Sequence, residues 1–128
     1  DIVEVPEGSR LVFVSGQLGL ADDGSVADSF AGQCELAWHN LQRALAATDL
    51  DFGNLVMLRI YLTASADLEA MRRIKDEKLG SQRVASSVLV VAALSHPNWL
   101  VEIEAVAAAP TRKSGLAGSN PADLPSIR

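Results

Sequence analysis

Two glutamates separated by one residue form the pattern of greatest chemical interest in this chain. Glu102 and Glu104 lie in the segment from Leu100 to Ala108, whose alternation of apolar and polar residues predicts a β-strand. Because side chains alternate across a strand, both carboxyls belong to one face, about 6.6 Å apart. A buried carboxylate pair can position water or accept a proton, whereas a solvated strand face is the simpler alternative. Val106 shares this face and favours partial burial.

A second candidate is the run Ser15-Gly16-Gln17, which ends a predicted strand. Glycine at a strand end permits a tight bend, so this run by itself is weak evidence for a site.

The remaining chemistry-bearing residues favour structural roles. His39 lies in a predicted helix, His96 in a predicted turn, and Cys34 on the apolar stripe of that same helix. The sequence contains none of the common motifs for metal ligation, phosphate binding or a nucleophile elbow. We therefore expect no metal and no cofactor.

Composition narrows the class of partner. The chain of 128 residues is the size of one domain, and its net charge of −5 opposes binding to a phosphate backbone. Its apolar runs are shorter than the roughly 20 residues of a membrane span, and no basic-then-apolar leader opens the chain. A lone Cys34 cannot form an internal disulfide, so we expect a cytoplasmic protein. From the net charge and the short apolar runs, we expect neither nucleic-acid nor membrane partners.

The elements that must position these residues follow the order ββαβαββ, an α+β fold with a mixed sheet. The predicted elements are strands from Ile2 to Val5 and from Leu11 to Ser15, a helix from Asp28 to Ala47, a strand from Leu55 to Thr63, a helix from Ser65 to Gly80, and strands from Ser86 to Leu94 and from Leu100 to Ala108. We expect the first two strands to form one hairpin and the last two another. Residues 110–128, rich in Pro, Gly and Ser, are expected to form a tail outside the domain of residues 1–109.

The predicted sheet has too few helices to cover both of its faces. Five strands make a sheet about 24 Å wide, and two helices of about 10 Å cover one face. The apolar run from Val88 to Leu94 places apolar side chains on both faces, so the second face would expose a large patch. We expect a closed homo-oligomer with ligand clefts between subunits, the alternative being that the tail covers the face.

Several segments together resemble the RidA (YjgF) family, also called L-PSP endoribonucleases. The resemblance rests on the run from Leu11 to Gln17, LVFVSGQ, on AWHNL beginning at Ala37, and above all on VEIEAVA beginning at Val101. It implies a chorismate-mutase-like fold with the two helices on one face, a homotrimer, and small-molecule clefts between subunits. Active members hydrolyse reactive imines and enamines to ketones and ammonia.

The resemblance carries over to only part of the family site. It implies that Ser15 and Gly16 line the cleft and that Glu102 positions the attacking water. The family's substrate-gripping arginine is replaced by Ser86, followed by Ser87, and a serine provides neither the charge nor the planar fork. Arg83 or Arg59 could supply a cation instead, although alternation would aim Arg83 at the opposite face from Ser86.

Two functions from different classes follow. The first is an imine or enamine deaminase whose substrate differs from the acids that the missing arginine would select. The second is a trimeric, non-catalytic protein that binds a small molecule or regulates a partner. Ribonuclease activity is the least favoured, because the acidic chain has neither a basic run nor an aromatic platform for bases.

Overall fold

The computed structural model describes residues 1–110, which form a four-stranded sheet with two helices packed on one face. The strands are β1 (Arg10–Leu18), β2 (Leu55–Leu62), β3 (Ala85–Val90) and β4 (Val101–Ala109), and the helices are α1 (Phe30–Ala46) and α2 (Leu68–Leu79). The predicted α+β class and the two helices are confirmed. The predicted tail lies outside the described residues, except for Pro110.

The sheet order is β1-β4-β2-β3, so the last strand lies inside the sheet. β4 pairs antiparallel with both β1 and β2, while β3 pairs parallel with β2. The predicted hairpin between the last two strands is therefore wrong. The connection through α2 returns the chain to run parallel to β2, as a strand–helix–strand crossover requires, and β3 ends at Val90 rather than Leu94.

The predicted strand from Ile2 to Val5 does not form, and with it the N-terminal hairpin is lost. Ile2 is 94% exposed, so its side chain is not part of the core. Pro6 lacks an N–H, and its carbonyl accepts hydrogen bonds from both the backbone N–H and the hydroxyl of Ser9, which closes a turn immediately before β1. The sheet thus has four strands instead of five.

The helices bury the inner face of the sheet. Ser29 caps α1 by accepting the backbone N–H of Gly32, and Gly80 ends α2 with a positive φ of 56°. The fully buried side chains include the large residues that join both helices to the inner face, namely Trp38, Leu41, Leu45, Leu58, Ile60, Leu62, Met71, Ile74 and Ile103. This core fixes which face of each strand is left uncovered.

Gln33 of α1 fixes the chain where it approaches β4. Its buried amide nitrogen donates to the carbonyls of Ala27 and Asn98, and its oxygen accepts the N–H of Leu100. Each polar atom of this side chain is therefore paired, as a buried amide requires. These bonds fix the start of β4, which carries Glu102.

Candidate active site on the open face

The face of the sheet opposite the helices, here called the open face, carries both glutamates. The exposed or half-buried side chains of the four strands that alternate with the core residues include Leu11, Phe13, Ser15, Met57, Arg59, Tyr61, Ser87, Leu89, Glu102, Glu104 and Val106. The predicted placement of Glu102 and Glu104 on one face is confirmed. Phe13 is 73% exposed on this face.

Glu102 lies against a bulge in β1. The register between β1 and β4 shifts between Val14 and Gln17, which places Ser15 and Gly16 at the irregularity. A methyl group on Gly16 would lie 2.5 Å from Oε1 and 2.6 Å from Cδ of Glu102. Gly16 is thus needed for the close approach of the carboxyl, whereas the sequence suggested only a bend.

The Glu102 carboxyl has neither an ion pair nor a side-chain hydrogen bond to any residue among 1–110. Burial, followed by the negative charge of Glu104, raises the pKa of Glu102 above the ordinary glutamate value. A half-buried carboxyl with an elevated pKa is a candidate to accept and donate protons.

Glu104 is held by two donors from β2. The Tyr61 hydroxyl donates to Oε1 at 2.6 Å, and Arg59 Nη1 approaches the same oxygen at 3.3 Å. The hydrogen bond to Glu104 raises the pKa of Tyr61, so the phenol keeps its proton. The two glutamates therefore have different environments, one paired and one unpaired, as acid–base partners often do.

A groove of about 470 Å³ opens beside this cluster. It is lined by Phe13, Ser15, Met57, Arg59, Glu104 and Val106, among others. Apolar walls with a few convergent polar groups are typical of small-molecule sites. Tyr61, Phe13 and Met57 were not singled out from the sequence as site residues. Alternation placed Tyr61 beside Arg59, but the pairing of β2 with β4 was needed to bring both to Glu104.

The two serines of β3 lie on opposite faces. Ser86 accepts a hydrogen bond from Lys75 Nζ of α2 at 2.9 Å, so its hydroxyl is on the helix side. Ser87 is the register partner of Arg59 and belongs to the open face. The structure therefore brings Ser87, and not Ser86, into the row of Arg59 and Glu104.

Arg83 is not brought to the open face. Its side chain is 83% exposed, and its Nη1 lies 3.5 Å from Asp1 Oδ1. It lines a different cavity, of about 560 Å³, between the N-terminal segment and the start of β2. Within this chain Arg83 does not contact Glu102. Arg59, in contrast, lies on the same face of the sheet as Glu102.

The residues that the sequence assigned structural roles lie away from this cluster. Cys34 is fully buried, and burial raises its pKa to about 11. His39 is exposed on α1, and the His96 ring packs against Trp99 in a turn, with centroids 5.4 Å apart. Residues 1–110 contain no group of three His, Cys, Asp or Glu side chains placed to hold a metal, and none of their helices is long and apolar enough to cross a membrane.

Comparison with known proteins identifies relatives. Residues 3–109 match the family model described as Endoribonuclease L-PSP. Protein DfrA of Myxococcus xanthus is 32% identical over 107 residues, which cover 82% of this chain and 80% of DfrA. A chorismatase of Streptomyces hygroscopicus is 30% identical over 113 residues, or 80% of this chain but 32% of the chorismatase, so the match spans about a third of that relative.

Solved structures share the fold. Rv2704 of Mycobacterium tuberculosis, described as a member of the YjgF/YER057c/UK114 family, is 30% identical with a TM-score of 0.68, covering 76% of this chain and 77% of that one. YyfB of Yersinia pestis, described as a Rid-family protein of unknown function, is 28% identical with a TM-score of 0.70 and 77% of each chain covered.

Proposed function

This chain belongs to the endoribonuclease L-PSP family, in which the RidA and YjgF proteins are grouped, and we propose that it hydrolyses a reactive imine or enamine to a carbonyl compound and ammonia. The observation that carries the proposal is the Glu102 carboxyl. It is half-buried on the bulge at Gly16, has no partner among residues 1–110, and lies on the face that bears the groove.

Glu102 acts as the proton carrier in this reaction. Its carboxylate takes a proton from water as the oxygen attacks the carbon of the protonated C=N bond, forming a neutral carbinolamine. The protonated carboxyl then returns this proton to nitrogen. As the C–N bond breaks, the Glu102 carboxylate removes the hydroxyl proton to give the carbonyl compound and passes it to the departing ammonia, which leaves as ammonium. A pKa above the ordinary glutamate value supports both steps, because the group must accept and then release a proton.

Glu104 is held in place while Glu102 exchanges its proton. The Tyr61 hydroxyl and Arg59 Nη1 both contact its Oε1. A fixed negative charge beside Glu102 keeps that residue basic enough to accept a proton from water. The predicted cleft residues Ser15 and Gly16 form the β1 wall of the same site, while Ser87 is at its β3 side.

We place this site in a cleft between subunits of a homotrimer. The support is the open face itself, where Phe13 is 73%, Leu11 49% and Leu89 42% exposed. A second copy of the chain would shield these side chains, and a monomer would leave them in water. Sedimentation of the purified protein tests this: a trimer is expected at micromolar concentration, and Phe13→Asp should weaken it. A wild-type monomer would contradict both the assembly and the intersubunit cleft.

Imine hydrolysis itself is tested with imines generated in place by amine or amino-acid oxidases. Wild-type protein should release ammonia faster than buffer does, and Glu102→Gln should remove most of this acceleration, by about 100-fold or more. Glu69→Gln on the solvent side of α2 makes the same charge change and should keep full activity. An active Glu102→Gln variant would eliminate the proposed mechanism.

A non-catalytic binding protein is the second candidate, favoured by the serines at positions 86 and 87 where the family arginine is expected. It predicts saturable binding of a small molecule without turnover, in a thermal-shift screen followed by calorimetry. The cytoplasmic location and the lack of nucleic-acid and membrane partners stay predictions from composition.

A further inference from the structure

The charges of the open face differ from those of a site for an anion. The four strands contain only two basic residues, Arg10 and Arg59. Arg10 lies on the helix side, where its Nη2 donates to the carbonyl of Thr48, two residues beyond the end of α1. Arg59 is thus the only basic side chain that these strands present on the open face.

Arg59 is already paired. Its Nη1 lies 3.3 Å from Glu104, whose other donor is the hydroxyl of Tyr61. The charges of Arg59 and Glu104 cancel to a first approximation. Glu102, which has no partner among residues 1–110, is then the uncompensated charge that a ligand meets on the strands.

The position next to Arg59 is neutral. Ser87 is the register partner of Arg59, and its side chain belongs to the same face, so a longer basic residue at this position would lie beside Arg59, which lines the groove. A serine hydroxyl can donate one hydrogen bond but carries no charge. A carboxylate placed here would face Glu102 and Glu104 without a free cation from the strands.

From this arrangement, and resting on the proposed function, we infer that the site selects positively charged imines that lack a carboxylate, formed from primary amines rather than from amino acids. The protonated nitrogen donates to Glu102, and the apolar body of the substrate lies along Phe13, Met57 and Val106. The reaction balances as R–CH=NH₂⁺ + H₂O → R–CHO + NH₄⁺, with no oxidant or reductant consumed by this protein.

The test compares two imines that differ only in the carboxylate. Benzylamine with a flavin amine oxidase supplies the cationic imine, and phenylglycine with an amino-acid oxidase supplies the corresponding imino acid. We expect the wild-type protein to accelerate ammonia release from the first at least tenfold more than from the second. Equal acceleration, or a preference for the imino acid, would overturn the charge selection while leaving imine hydrolysis in place.

Variants separate charge selection from general damage. Ser87→Arg places a guanidinium on the open face and should shift the ratio of the two rates at least tenfold toward the imino acid. Val90→Arg adds the same charge to the same strand, but at an exposed position on the helix side of the sheet. This variant should leave the ratio of the two rates within twofold of wild type. A shift of the same size in both variants would count against the inference.

Arg59→Met is a second variant that does not add bulk. It leaves Glu104 uncompensated, so the preference for the cationic imine should increase at least threefold. If instead this variant loses activity only on the imino acid, Arg59 binds substrate carboxylates and the inference is wrong.

A binding experiment distinguishes this inference from the proposed function. Calorimetry with benzylammonium and with benzoate requires no turnover, and benzylammonium should bind at least tenfold more tightly. If this preference holds but neither imine is hydrolysed, imine hydrolysis fails and charge selection stands. Equal or reversed affinities would refute charge selection whatever the hydrolysis rates are.

Discussion

Replacing Gly16 with alanine should inactivate the site while leaving the fold intact. The added methyl would lie 2.5 Å from Glu102 Oε1, which is 0.9 Å short of the 3.4 Å where ordinary van der Waals contact begins. The carboxyl must therefore retreat by about 0.9 Å. The atoms that the methyl group meets are Oε1, Cδ and Cγ of one flexible side chain, and a rotation about its Cα–Cβ bond moves all three. The retreat therefore costs little stability, and we expect a change in the free energy of unfolding below about 1 kcal/mol.

The same displacement should be costly for catalysis. A misplacement of about 1 Å in a reacting group can reduce the rate about 100-fold, and we expect a loss of that order in ammonia release from an imine. Combining Gly16→Ala with Glu102→Gln should cost no more than Glu102→Gln alone, because the two changes remove the same group from its position.

Gly19→Ala is the matched control. The added methyl group would lie 2.6 Å from both the Cα and the carbonyl oxygen of Gln33. These are backbone atoms of α1, so they cannot move away by a side-chain rotation. Here the free energy of unfolding should fall by about 1–3 kcal/mol. If Gly16→Ala retains activity within twofold, or destabilises as much as Gly19→Ala, the argument that Gly16 positions Glu102 is refuted.

Three further predictions concern stability and reactivity. The pKa of Glu102 is raised in the folded state, so the stability that this carboxyl contributes is present at acidic pH and is lost as the pH rises through the folded pKa. Glu102→Gln should therefore be at least as stable as wild type at pH 7. The difference in Tm between the two proteins should vanish toward about pH 4. A variant that is less stable than wild type at pH 7 would contradict this. Gln33→Ala should lower the free energy of unfolding in urea by about 3 kcal/mol, because three backbone groups lose their partner, and a loss below about 1 kcal/mol would show that water replaces them. Cys34, fully buried with a pKa of about 11, should react with a thiol reagent only as fast as the protein unfolds; rapid labelling of the native protein would show that α1 opens locally.

Local patterns in the sequence were sufficient for the helices and for the parity of the glutamates. The apolar periodicity of α1 depends on residues within a few positions of each other, so this helix can be predicted without knowing the fold. Alternation alone placed Glu102 and Glu104 on one face of β4. The prediction of an N-terminal strand rested on the same kind of pattern and was wrong, because alternation near Ile2 does not reveal whether a neighbouring strand is available.

Only the tertiary structure decided which groups surround those glutamates. The sheet order brings β2 beside β4 and so gives Glu104 its partners, Arg59 and Tyr61, while Glu102, beside the bulge at Gly16, has none among residues 1–110. Strand pairing joins residues more than 40 positions apart, and a slip of one residue exchanges the two faces. For that reason the sequence could name the glutamates, whereas the register determined that Ser87, and not Ser86, shares their face.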